Sequence, residues 1–138
     1  MAGCGAAGPV QVHVPGGHPG TNGCTGLLKA LPASVMDQDS RTVSPDNVLA
    51  AAWGDPAIVL QCGVNAPRSL KPPSRCDVIN GVGWFSRREP DHGWIFTTIG
   101  RASTVELRVP ADYAPAADAL VELAAAIRNN VRLIRPCV

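Results

Sequence analysis

Five cysteines in 138 residues, four of them at the seams between predicted elements, constrain this chain more than any other feature. Cys24, Cys62, Cys76 and Cys137 suit a small domain whose loops are closed by disulfides in an oxidising compartment. In a reducing cytosol they would have to be metal ligands, nucleophiles or inert core thiols. The chain is therefore expected to work outside the cytoplasm. Four cysteines allow three connectivities, and the spacing favours Cys62–Cys76 with Cys24–Cys137. The first closes a Pro-rich loop of ~15 residues, worth roughly 3 kcal/mol through the unfolded chain. The second tethers the tail to the first helix. Cys4, in Met1-Ala2-Gly3-Cys4-Gly5, follows the small-residue pattern of bacterial lipoprotein cleavage, and is expected to stay unpaired and carry a lipid in the mature protein.

The length suits one domain with a single core: residues 1–9 as a flexible tether and 10–138 as the folded unit. Lys plus Arg number 12 against 11 Asp plus Glu, so no global field draws the protein to nucleic acid. Arg128, Arg132 and Arg135 cluster after the last predicted helix, where cations complement the negative end of the helix dipole. No apolar run reaches the ~20 residues of a membrane span. Any membrane attachment is expected only through the N-terminal lipid, and the protein is expected to be a monomer.

Hydrophobic periodicity organises the rest. Val10, Val12 and Val14 alternate with polar residues as a strand does, and residues 24–31 place Leu27, Leu28 and Leu31 on one helical face before Pro32. Ser44-Pro45-Asp46 has the chemistry of a helix start, predicting a short helix over 48–53 that Gly54 ends. Residues 57–62, apolar apart from Gln61, predict a central strand buried on both sides. Residues 65–74, with three prolines, predict a loop. Residues 82–88, 94–99 and 104–109 predict an antiparallel meander, its first turn carrying Pro90-Asp91-His92-Gly93. After Pro115, Leu120, Leu123, Ala124 and Ile127 form one stripe of a long helix. Residues 10–15 and 105–110 echo each other as strand, proline stop, loop and helix, suggesting two such units clasping a central hairpin. The expected fold is α+β: a two-layer sandwich, mostly antiparallel, with two or three helices on one face and disulfide staples.

No catalytic constellation emerges. The cysteines with His13, His18 and His92 fit no metal spacing, the glycines near Gly81 open no phosphate-binding helix, and the eleven carboxylates are scattered. No cofactor, metal or catalytic residue is expected. Trp53, Trp84 and Trp94 are half of all aromatics. Trp84 and Trp94 should face each other across one hairpin, either as core packing or as an aromatic platform beside Arg87, Arg88 and Arg101. Trp53, Asp55, Trp84 and Arg101 are the candidate binding residues. Asp55 and Arg101, both in turns at sheet ends, are a candidate ion pair, unless Asp55 merely caps its turn and Arg101 points to solvent.

Several segments together resemble a known family: Cys24-x₂-Leu27-Leu28-x₂-Leu31-Pro32, residues 52–64 from Ala-Trp-Gly-Asp-Pro into Cys-Gly-Val, Asn80-Gly81-Val82-Gly83-Trp84, and residues 96–101. The chain resembles the actinobacterial secreted proteins and lipoproteins of the domain-of-unknown-function 3515 family. The resemblance spans nearly all of 10–137. It implies an exported envelope protein with cysteines kept at these positions, and carries no established activity. Gly83 stands where many relatives are expected to hold an acidic residue. The function expected is a non-catalytic envelope module, tethered by lipid, that binds an envelope protein or a cell-wall component. The alternative is an envelope enzyme acting on a cell-wall or lipid precursor.

Overall fold

A computed structural model describes residues 8–71 and 75–137. Cys4 and most of the expected tether lie outside the described residues. The elements in chain order are β1 (Val10–Gln11), α1 (Cys24–Ala30), β2 (Ser34–Val35), β3 (Gln38–Arg41), β4 (Val43–Ser44), β5 (Ala50–Trp53), β6 (Ile58–Cys62), β7 (Asp77–Ile79), β8 (Val82–Glu89), β9 (Gly93–Thr98), β10 (Val105–Val109) and α2 (Ala117–Asn130).

Eight strands form one sheet in the order β2-β3-β5-β6-β10-β9-β8-β7, every neighbouring pair antiparallel. The expected meander is present as β8-β9-β10. β6 lies mid-sheet between β5 and β10, and buries Ile58, Leu60, Gln61 and Cys62. The α+β class with a mostly antiparallel sheet is thus observed, with two helices. Alternate residues of β6, β8, β9 and β10, including Leu60, Trp84, Phe96 and Leu107, join Leu120, Leu123 and Ile127 of α2 and Leu27 of α1 in one apolar cluster. The helical stripe read from the sequence is the stripe that is buried.

Four expectations are corrected. Residues 50–53 are a strand, not part of a helix: a short alanine-rich segment cannot repay helix nucleation, whereas pairing Ala50↔Gln61 through Trp53↔Ile58 gives its backbone a partner along its whole length. Ser44, expected to start a helix, lies in strand β4, preceded by β3, and β2 and β3 are joined by a two-residue turn in which Met36 and Asp37 both have positive φ. The first strand stops at Gln11 and pairs in parallel with β4 in a separate two-stranded ribbon, so it does not mirror β10 in the main sheet. The disulfides are Cys24–Cys62 and Cys76–Cys137, not Cys62–Cys76 and Cys24–Cys137.

The physical reason for the last correction is position. Cys62 ends β6 with its side chain among core residues, where α1 brings Cys24 to a Cα separation of 5.6 Å. Cys76 precedes the edge strand β7, and the chain after α2 returns there to put Cys137 at 5.9 Å. Gly83 makes room for this second bridge, because a Cβ on it would lie 2.6 Å from the Cys137 sulfur and 3.1 Å from that of Cys76. An acidic side chain at 83 would occupy the disulfide's own space. All four cysteines of the folded region are therefore cross-linked, which fits an oxidising compartment outside the cytoplasm. Among the described residues, no helix is long and apolar enough to cross a membrane.

Candidate functional site

The three tryptophans divide sharply. Trp53 is 1% exposed and its indole N–H donates to the Pro32 carbonyl at 3.1 Å. Trp84 is fully buried, its indole N–H without a partner among the described residues. Trp94 is 37% exposed. The hairpin register keeps the two rings of one face apart: the short turn closes on Gly93↔Glu89, which sets Trp94 against Arg88 and Trp84 against Thr98, so they are not directly opposed. Phe96 stands between them. Its ring meets Trp84 edge-on, with centroids 6.4 Å apart and planes at 76°, and stacks under Trp94 at 5.9 Å and 11°. Trp53 and Trp84 are core anchors, and the exposed aromatic surface belongs to Trp94, which was not among the candidate binding residues.

Trp94 and Phe96 lie in a cavity of about 740 Å³ between β7–β9, the chain leading into α2 and the first turn of that helix. Ile79, Ala116 and Leu120 extend its apolar floor, while Ser86, Arg88, Asp91 and Tyr113 give it a polar rim. Two neighbouring carboxylates are already engaged: Asp77 accepts from Arg75 at 2.9 Å, and Glu89 pairs with Arg108 at 3.3 Å. Burial, then the charges of Asp112 and Asp55, push the Tyr113 phenol above its ordinary value, and its hydroxyl donates to the Pro56 carbonyl at 2.6 Å. A second cavity, about 500 Å³, lies where the N-terminal segment crosses β6 and β10, with Gln61 donating to the His13 carbonyl at 2.8 Å.

Asp55 and Arg101 do not meet. In the β6–β10 pair Cys62 faces Val105 and Val59 faces Arg108, so the Asp55 turn and the Arg101 turn sit at opposite ends of β6, roughly 15 Å apart at ~3.3 Å per residue. Asp55 is exposed, and the cation near it is Arg41 at 3.9 Å. Arg101 does not point freely to solvent: it donates to the Val131 carbonyl at 2.8 Å and the Gly81 carbonyl at 3.0 Å. Burial and the neighbouring Arg128 hold its pKa below the usual arginine value. It is a structural clasp between the β7–β8 turn and the end of α2.

The sequence carried the signal for the groove. Counting back from a closed Pro90-Asp91-His92 turn aligns Trp94, Phe96, Ser86 and Arg88 on one side of the sheet. What it lacked was where α2 packs, which puts Trp84 in the apolar cluster and leaves Trp94 on the cavity at the helix's first turn. Among the described residues, no group of three His, Cys, Asp or Glu side chains is placed to hold a metal ion.

The model of a family of proteins of unknown function matches residues 5–134. No curated protein and no solved structure matches the chain.

Proposed function

The chain belongs to the DUF3515 family of proteins of unknown function, and we propose that it is a non-catalytic binding module of the cell envelope, holding a cell-wall component or a partner protein in the groove beside Trp94. One observation carries the reading: a tryptophan backed on one side by Phe96 keeps its other side free, within a cavity large enough for a substantial ligand. A ring anchored in this way offers a flat apolar contact at little entropic cost, and the polar rim can orient what it holds. Asp77 and Glu89 are tied to arginines, which leaves Asp91 on the rim without a second free carboxylate for paired acid–base work and favours binding over an envelope enzyme acting on a cell-wall or lipid precursor. The mature form we propose is an actinobacterial lipoprotein tethered through Cys4, its two-layer sandwich exposed outside the membrane.

A photo-crosslinking residue placed at Trp94 in the native envelope tests this. It should yield a discrete adduct that the same residue at Val121, exposed on the outer side of α2, does not yield. Identical adducts from both positions, or none from 94, would reject the groove as the binding site.

A further inference from the structure

At the end of the sheet away from the groove, the chain leaving α2 makes a turn that the apolar core does not explain. Leu133 and Ile134 are 47% and 57% exposed, adjacent in sequence, and flanked by the exposed Arg132 and Arg135. The turn is held firmly. Ala102 donates to the Arg132 carbonyl at 2.8 Å, Ile134 and Arg135 both donate to the Gly100 carbonyl at 2.6 and 3.0 Å, and Cys137 is bonded to Cys76. Gly100, at φ 78°, is needed there because a Cβ would strike the Arg135 carbonyl. Two aliphatic side chains are thus fixed in water by the fold, where a loose tail could have turned them inward.

Among the described residues, no carboxylate forms an ion pair with the arginines around them. Arg101 and Arg128 spend their hydrogen bonds on backbone carbonyls of Val131, Gly81 and Asn80, which carry no net charge. Arg132 and Arg135 have no ion-pair partner among the described residues. A chain with a net charge of +1 therefore concentrates four guanidinium groups at one end.

We propose that the turn at residues 132–135 docks on an anionic lipid bilayer, with Leu133 and Ile134 entering the interface while Arg128, Arg132 and Arg135 meet lipid phosphates. The chemistry selects this occupant. A soluble polyanion would use the arginines and leave both aliphatic side chains wet. A stable protein partner would need about 1,000 Å² of complementary surface, far beyond two side chains. A bilayer interface supplies phosphates and hydrocarbon together and asks for no shape match. The contact is independent of the groove and of any lipid on Cys4.

The test is co-sedimentation of the oxidised, unlipidated chain with vesicles of equimolar phosphatidylglycerol and phosphatidylcholine, against vesicles of phosphatidylcholine alone. Binding should require the anionic lipid and weaken as salt rises from about 0.1 M to about 0.5 M. The pair Leu133→Ser with Ile134→Ser, and separately Arg132→Gln with Arg135→Gln, should each reduce it about tenfold with melting temperature unchanged. Trp94→Ala should leave it intact, so failure here and failure of the groove reading are separately visible. Equal binding to neutral vesicles, no binding to either, or undiminished binding by the serine pair would overturn the proposal; the last would mark a site for polyanions.

Discussion

The two ends of the sheet use the same residue type in opposite ways. Towards the groove, arginines face carboxylates: Arg75 with Asp77, and Arg108 with Glu89 and Glu106. At the far end, Arg101 and Arg128 bind main-chain carbonyls and so retain their charge. The first arrangement neutralises surface around an aromatic cavity. The second fastens the chain ends together and leaves a positive surface. Exposed ion pairs contribute little to stability, whereas charged hydrogen bonds to partly buried carbonyls contribute more. Stability should therefore depend on the far end and recognition on the groove end.

The largest test of that division is a pair of tryptophans. Trp84→Ala should cost about 3–5 kcal/mol in thermal or urea unfolding, since it empties a fully buried site. Trp94→Ala should cost no more than ~1 kcal/mol and abolish crosslinking from a photo-reactive residue placed at Ser86, on the wall of the same groove. Equal losses would dissolve the distinction between core anchor and exposed anchor.

The disulfides sharpen it next. Sequence separations of 38 and 61 give, from chain entropy alone, about 4 kcal/mol for each bridge. Burial separates them: Cys24 and Cys62 are 1% and 2% exposed, while Cys76 and Cys137 are only partly buried. Graded reduction followed by thiol labelling should open Cys76–Cys137 first in the folded protein, and Cys24–Cys62 only with global unfolding. Labelling of Cys24 ahead of Cys76 would contradict the packing described.

Smaller effects follow at the two turns. Arg101→Ala should lower stability by about 1–3 kcal/mol, because it strands two carbonyls and releases the clasp. Asp55→Ala should change it by less than ~0.5 kcal/mol. Comparable denaturation midpoints for the two variants would place Arg101 among ordinary surface charges.

The smallest effect concerns Tyr113, the one tyrosine of the chain, so ultraviolet absorbance reports it alone. Its midpoint in native protein should lie above that in denaturant, near ~10. The sign follows from the raised folded value: the neutral phenol is favoured in the fold. Its contribution is complete below the unfolded midpoint and is lost as pH rises through the folded one. A native midpoint at or below the denatured one would remove Tyr113 from the partly buried groove wall.

Much of this molecule was determined locally and could be read in advance. The meander from 82 to 109, the central strand ending at Cys62 and the stripe of α2 all rest on periodicities that burial imposes on any strand or helix. The two bridges fit the compartment outside the cytoplasm that the cysteine pattern led one to expect. What only tertiary structure decided was which groups meet. Residues 50–53 became a strand because β6 offered a complete partner. Trp84 and Trp94, on one side of one hairpin, parted because the first joins the apolar cluster with Leu120, Leu123 and Ile127 of α2 and the second lines the cavity at the start of that helix. Cys62 bonded to Cys24 instead of Cys76 because its side chain points into the core, where α1 lies. Each of these outcomes depends on register and on where a distant element stops, quantities fixed by the summed packing of the whole chain and carried by no single segment of it.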